Sequence, residues 1–287
     1  MSNSIQVTNT IRETRQAIAA ARKQGKTIGF VPTMGALHDG HLELMRRARE
    51  ECGFVVVSIF VNPTQFGPNE DFQRYPRDFD GDARKVESVG SDLIFNPGPE
   101  EMYPEGFTTY INLDGIADLL EGASRPVHFR GVATVVGKLF NIVAADKAYF
   151  GAKDYQQLKV IQRMVRDLDF PVEIVPVETV READGLAMSS RNAYLSPEER
   201  AAATVLYKAL RFAGEQARAG ERDGLALERK ITELIDAEPL AVLDYAAVVD
   251  PETLESVENI TGPFLVALAA RVGKTRLIDN MLIHLEG

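Results

Sequence analysis

One cysteine, Cys52, stands among 287 residues. That excludes an intramolecular disulfide framework and any cysteine-based zinc cluster. No apolar run approaches the ~18 residues of a membrane span. The opening stretch "MSNSIQVTNTIRETRQAIAAARKQGKT" lacks the apolar centre of a signal peptide. Positive charge is scarce: 32 Lys and Arg face 42 Asp and Glu, a formal net charge of −10. A bulk binder of nucleic acid or of an anionic membrane needs a large basic face, so neither partner is expected. A small basic pocket for an anionic metabolite remains compatible with that charge. Hydrophobic residues make up 45% and charged residues 26%, enough for a sizeable core. A cytoplasmic protein without repeats or low-complexity segments is the expectation.

Strand and helix signals alternate through the first part of the chain. Thr10 to Lys23 has helical spacing, with Ile11, Ile18 and Ala21 on one face and Gly25 as its stop. "TIGFVP" (27–32) is a short apolar strand. "HLELMRRAREEC" is helical again, with Asp39 as its predicted N-cap and Gly53 beyond its end. "FVVVSIFV" (54–61) is an unbroken apolar run, the pattern of a parallel strand buried on both faces. These pieces make a βαβ unit. Helices in "DFDGDARKVESVG", "VATVVGKLFNIVAA" and "DYQQLKVIQRMVRDL" then alternate with strands in "DLIFNP", "KAYFG" and "VEIVPVETV". The prediction is an α/β fold, a Rossmann-like doubly wound parallel sheet over residues 1–183, with ligands beyond the carboxyl ends of its strands.

The pattern changes near residue 184. "READGLAMSSRNAYL" reads as a polar, glycine-containing loop, mobile-looking at "MSSRN". In "SPEER", Ser196, Pro197 and Glu199 spell a helix start with a capping box. Two alanine-rich helices break near Gly220. "VLDYAAVVD", "PFLVALAARV" and "TRLIDNMLI" follow as strands with no helix between them. Residues 184–287 are expected to form a smaller α+β C-terminal domain. "VGKT" (272–275) imitates the end of a P-loop, but the glycine required five residues before Gly273 is Leu268, so a β-turn is expected.

Chemistry concentrates where predicted strands end. In "VPTMGALHDGHLELMRRA", His38 and His41 flank Gly40 at a helix start. Helix-start N–H groups and the helix dipole favour an anion, and imidazoles can donate to phosphate oxygens. Zinc would need a third or fourth ligand, which the segment does not offer. Read alone, the pair also fits a helix start of no special role. "FVNPTQF" offers Asn62 and Gln65 as neutral hydrogen-bonding groups. "YFGAKDYQQL" offers Gly151, Lys153 and Asp154, then Gln156 and Gln157, only one of which can face a given site. "MSSRN" (188–192) resembles a phosphate clamp. "SRPVHFRGV" holds Arg125, His128 and Arg130, and reads as a solvated basic loop. Asp82, in "YPRDFDGDA", is a weaker candidate for magnesium or phosphate-bound water.

Together, "PTMGALHDGH", "FVNPTQF", "FGAKDYQQL" and "READGLAMSSRN" resemble the pantoate–β-alanine ligases (pantothenate synthetases), in order from about Thr27 to Leu195. The His-x-Gly-His element alone is shared with nucleotidylyltransferases at large. The resemblance implies an ATP- and Mg²⁺-dependent enzyme of the coenzyme A pathway that joins pantoate to β-alanine through a pantoyl adenylate, as a homodimer. It places ATP along Met34, Gly35, Ala36, Leu37, His38, Asp39, Gly40 and His41. Further ATP contacts fall on Gly151, Ala152, Lys153 and Asp154, on Val180, and on Met188, Ser189, Ser190 and Arg191. Pantoate falls on Gln65 and Gln157, with Gln65 also near β-alanine. His41, His38, Lys153 and Arg191 become the catalytic set, and no protein metal ligand is assigned. The usual Gly-Glu-Lys-Asp reads "GAKD" here, which leaves the loop's side-chain roles open. The C-terminal domain is expected to act as a lid. A nucleotidylyltransferase of phosphorylated acceptors and an idle nucleotide-binding module are the alternatives.

Overall fold

The computed structural model describes residues 5–68 and 70–285. The polar residues 1–4, Asn69 and the last two positions lie outside them. The chain divides into two compact units, Met1–Ala152 with Gln157–Glu178, and Lys153–Gln156 with Thr179–Gly287.

In the first unit the elements run β1 (Gln6–Thr8), α1 (Ile11–Lys23), β2 (Ile28–Thr33), α2 (Asp39–Glu51), β3 (Phe54–Ile59), α3 (Phe79–Ser88) and β4 (Leu93–Phe95). They continue with the short α4 (Pro99–Met102) and α5 (Leu120–Ser124), α6 (His128–Val143), β5 (Lys147–Gly151), α7 (Tyr155–Asp167) and β6 (Glu173–Val177). The strands form one parallel sheet in the order β1-β4-β3-β2-β5-β6. This is the α/β doubly wound arrangement read from the sequence. The edge strand β1 and the short helices α4 and α5 have no counterpart in that reading; three to five residues are too few to show a period.

Burial follows the pleat. Ile28, Phe30, Val56, Phe95 and Phe150 pack on one side with Ile18 of α1, Leu139 of α6 and Ile161 of α7. Val31, Val55, Val57, Ile94 and Tyr149 pack on the other with Met45 and Ala48 of α2 and Val86 of α3. Both faces are covered, so the central strands β2 and β3 are apolar along most of their length, with Thr33 and Ser58 as buried polar exceptions. Strand order reverses between β2 and β5, so the loops leaving those strands open a crevice at the carboxyl edge of the sheet.

The second unit contains α8 (Pro197–Ala202), α9 (Val205–Arg218), α10 (Gly224–Asp236) and the strands β7 (Ala241–Val249), β8 (Phe264–Val272) and β9 (Thr275–Ile283). The strands form an antiparallel sheet in sequence order. Ala209, Leu210 and Ala213 of α9 and Leu227, Ile231 and Ile235 of α10 pack with Val266, Leu268 and Ala270 of β8. Small residues on α9 let that helix lie close to its neighbours. "VGKT" is the β8–β9 turn: Val272 pairs with Thr275, and Gly273 at φ +57 takes the first turn position.

The unit begins at Thr179, before the polar loop at which the sequence pattern changes. Arg181 bridges Ala187, and the Met188 amide donates to the Val180 carbonyl at 3.0 Å. The polar, glycine-containing stretch forms a hairpin, because Gly185 at φ +92 turns the chain tightly against the Tyr207 ring, where no Cβ would fit.

Candidate active site

The segment after β2 is shaped by a buried carboxylate. Asp82, on α3, is 2% exposed. Its Oδ2 accepts the Ala36 amide and its Oδ1 the Leu37 amide, each at 2.8 Å. Lys85, one turn further along α3, donates to the Leu37 carbonyl at 2.6 Å. These bonds hold Gly35 at φ +83 and Ala36 at φ +51, the left-handed region that a non-glycine residue occupies at a cost. Two expectations change. Asp82 carries its charge inward to backbone N–H groups, which removes it from the candidates for magnesium. The amides of Ala36 and Leu37 are engaged with it, so among this segment's N–H groups those of the helix start are the candidates to meet an anion.

That helix start is one residue earlier than read from the sequence. His38, with φ −134 and ψ 175, is the N-cap of α2, and Asp39 is its first helical residue. The His38 carbonyl accepts the amides of His41 and Leu42. The amides of Asp39 and Gly40 therefore stand in the first turn, where a helix has no acceptor of its own. The His38 amide donates to Nδ1 of His41 at 3.3 Å. A ring nitrogen that accepts is unprotonated, so this bond assigns the ring proton of a neutral His41 to Nε2. The two imidazoles lie 4.1 Å apart, centroid to centroid.

The turn after β3 presents Gln65, 7% exposed. Sequence reading offered Asn62 to a substrate, but the fold uses it internally. Its Oδ1 accepts the Tyr103 hydroxyl at 2.7 Å and the Thr64 hydroxyl at 3.0 Å. Its Nδ2 donates to Gln65 Oε1 at 3.0 Å and to the Gly131 carbonyl at 3.2 Å. With Oε1 of Gln65 engaged as acceptor, its Nε2 is the donor directed forward, 3.3 Å from Sδ of Met34. Gln65 and Met34 thus meet where two adjacent parallel strands end.

Helix α6 supports the turn from below. A Cβ on Gly131 would overlap the backbone of Thr64 and Gln65, so only glycine permits this approach. "SRPVHFRGV" is not a solvated loop at its centre, since His128 opens α6 and is 8% exposed. Its Nδ1 lies 3.0 Å from the Gln65 carbonyl, the geometry of an N–H donating to that oxygen. Burial pushes the His128 pKa down to about 4, with the Arg125 charge adding to it against the Gln65 carbonyl, Glu70 and Glu121. The imidazole is therefore neutral at physiological pH. Burial also raises Glu70, but the hydrogen bond and charge of Arg125 outweigh it and hold that carboxyl below its ordinary value.

Gly151 ends β5 next to β2, and Ala152 follows it. Gln157 lies in the first turn of α7, half-buried, while its neighbour Gln156 is buried and groups with the second unit.

The second unit carries the remaining predicted residues. Lys153 is half-buried, its Nζ 3.8 Å from an Asp154 carboxylate oxygen. Val180 and Met188 are joined across the hairpin. The Ser189 hydroxyl accepts the Arg191 amide at 3.2 Å and caps a single 3-10 turn, Ser190–Tyr194. Ser189 is thereby committed to shaping the turn that carries Arg191. Asn192 ties that turn back to Glu182 and to the Ala187 carbonyl, both at 3.1 Å.

Sequence reasoning missed Asp82 as a clamp, and did not find Tyr103, Gly131 or the supporting role of His128. "RGV" carried a glycine signal, but its partner lies on a different strand's loop. No helix among the described residues is long and apolar enough to cross a membrane.

The geometry has close relatives. A pantothenate synthetase of Pelotomaculum thermopropionicum is 58% identical over 277 residues, 96% of this chain and 98% of its own. One from Moorella thermoacetica is 54% identical, covering 98% of this chain and all of its own. The crystal structure of pantothenate synthetase from Thermus thermophilus superposes with a TM-score of 0.93 at 51% identity, over 98% of this chain and 100% of that one. The pantoate-beta-alanine ligase of Francisella tularensis, complexed with beta-gamma ATP and beta-alanine, gives a TM-score of 0.82 at 37% identity over 97% of both chains. The pattern defining Pantoate-beta-alanine ligase matches residues 6–282. By sequence over nearly its whole length and by fold, the chain belongs to the pantoate–beta-alanine ligase family.

Proposed function

We propose that the enzyme condenses pantoate with β-alanine at the expense of ATP, forming pantothenate, AMP and pyrophosphate through a pantoyl adenylate. The observation that carries the site assignment is the meeting of Met34 and Gln65 beside the His38–His41 helix start, at the carboxyl ends of neighbouring strands in a sheet of this family.

In the first step the pantoate carboxylate attacks the α-phosphorus of ATP and pyrophosphate leaves. The carboxylate arrives ionised, so no general base is needed, and catalysis is positioning and charge stabilisation. ATP lies along Met34–His41, Gly151–Asp154, Val180 and Met188–Arg191. Nε2–H of His41 donates to the phosphate oxygens as negative charge moves onto the leaving group, with His38, Lys153 and Arg191 sharing that charge. Gln65, its amide oriented by Asn62, donates to pantoate together with Gln157. Both are neutral, so the carboxylate stays nucleophilic. In the second step the β-alanine amine attacks the acyl carbon and AMP departs.

Among the described residues no group of three or more His, Cys, Asp or Glu is placed to hold a metal ion. Magnesium is part of the proposal on family membership: bound with ATP, it would offset negative charge on the phosphates, beside His38, His41, Lys153 and Arg191. A homodimer, a cytoplasmic location and a place in the coenzyme A pathway are part of the proposal on family membership. AMP release that requires ATP, pantoate and β-alanine together is the expected result. AMP release without pantoate, or none with all three, rejects the reading.

A further inference from the structure

Strand β9, "TRLIDNMLI", is the last strand of the C-terminal sheet. Its centre holds Asp279 and Asn280, 2% and 8% exposed. The Asp279 carboxylate receives Arg181 as a fork, Nη1 to Oδ2 at 2.7 Å and Nη2 to Oδ1 at 3.0 Å. The same guanidinium donates to the carbonyls of Gly185 and Asn280, each at 3.1 Å, and lies 4.7 Å from the Tyr207 ring centroid. Such a planar fork, with both terminal nitrogens engaged and packed on a ring, sets position rather than supplying a movable charge. Arg181 sits on the hairpin whose other strand leads into Met188–Arg191. One residue along β9, the Asn280 side-chain amide donates to the Lys153 carbonyl at 2.7 Å. Alternate residues of a strand face opposite sides, yet here adjacent ones serve the two segments, because Arg181 approaches through Asp279 and Asn280's own carbonyl.

We infer that Asp279 and Asn280 are positioning residues for adenylation: Asn280 fixes the backbone of Lys153, and Asp279, through Arg181, fixes the hairpin that delivers Arg191. The C-terminal sheet is then a rigid mount for the cations of the phosphate site. This rests on the phosphate-side role proposed for Lys153.

The test is pantoate-dependent exchange of labelled pyrophosphate into ATP, which reads the first step alone. Asn280→Ala is expected to lower kcat about tenfold or more, the scale on which small misplacements act. The KM for pantoate should stay within about twofold, since Gln65 belongs to the first unit. Added to Lys153→Ala, Asn280→Ala should lower the rate less than about threefold further, because both changes remove one contribution. Asn280→Leu, similar in volume and without a donor, is expected to match Asn280→Ala, and serves where the alanine variant does not fold. A slow Lys153→Ala beside a normal Asn280→Ala and Asn280→Leu overturns the inference alone. So do multiplying effects in the double variant. A Lys153→Ala at the wild-type rate overturns the role of Lys153 and the inference with it.

Discussion

Replacing Asp82 separates two roles for a buried carboxylate, a clamp on backbone amides or a contact for a metal ion. Asp82→Ala removes both acceptors of the Ala36 and Leu37 amides. A hydrogen bond to a charged group contributes about 1.5–3 kcal/mol, so the pair sums to about 3–6 kcal/mol. Ala36 at φ +51 can relax once released, and water can reach its half-buried amide, so a loss near the lower end, about 3 kcal/mol, is expected. Asp82→Asn keeps one acceptor but turns an amide N–H toward the second donor, for a loss of about 2 kcal/mol. Urea unfolding measures the loss. Amide hydrogen exchange should show the Leu37 N–H opening first, since its only protection here is the carboxylate. Pyrophosphate exchange should fall in both variants as His38 and His41 lose their entry geometry. Raising magnesium should not restore it. A loss under about 1 kcal/mol would refute the clamp energetics. Recovery of activity at high magnesium would return Asp82 to the role of a metal contact.

Other expectations follow from the same geometry. His41→Ala should slow pyrophosphate exchange by about two orders of magnitude or more, the usual effect of deleting one transition-state donor; a rate within about threefold of wild type denies the residue that role. Gly131→Ala reverses a familiar sign. The substitution in an open helix stabilises by about 1 kcal/mol, but here the Cβ meets Thr64 and Gln65, so a loss of about 1–3 kcal/mol and a raised KM for pantoate are expected in melting and steady-state assays. His128 sets a pH dependence. Its folded pKa, about 4, lies below the ordinary 6.5. As pH falls the unfolded chain therefore binds the proton first. Stability held above about pH 6.5 is lost toward pH 4, with about 2 kcal/mol gone between pH 7 and 5. Urea titrations of wild type against His128→Gln at those two pH values read this difference, and identical slopes would contradict it.

Much of this was legible along the chain because it is local. Periods of two and near four, the cap at Ser196 and the unbroken run in "FVVVSIFV" depend on neighbours a few residues away. They settled the element order and the doubly wound sheet. Loops at strand ends could be gathered into one region because a parallel sheet sends all its carboxyl ends to one edge. The His-pair helix start was readable for the same reason, though the N-cap shifted from Asp39 to His38. A cap depends on backbone angles, and the composition of "HDGH" allows either residue.

What only tertiary structure decided concerns where polar groups point. Asp82 reads in sequence as one acid among several at a helix start; its two bonds reach back 46 and 45 positions to Ala36 and Leu37. Asn62 reads as a substrate donor until Tyr103 and Gly131 close around it. Asn280 reaches Lys153 across 127 positions. Residue type states what bonds a side chain can make, and local pattern states which element carries it. The partner is chosen only when the folded backbone brings distant donors and acceptors within 3 Å and excludes the water that would otherwise take their place.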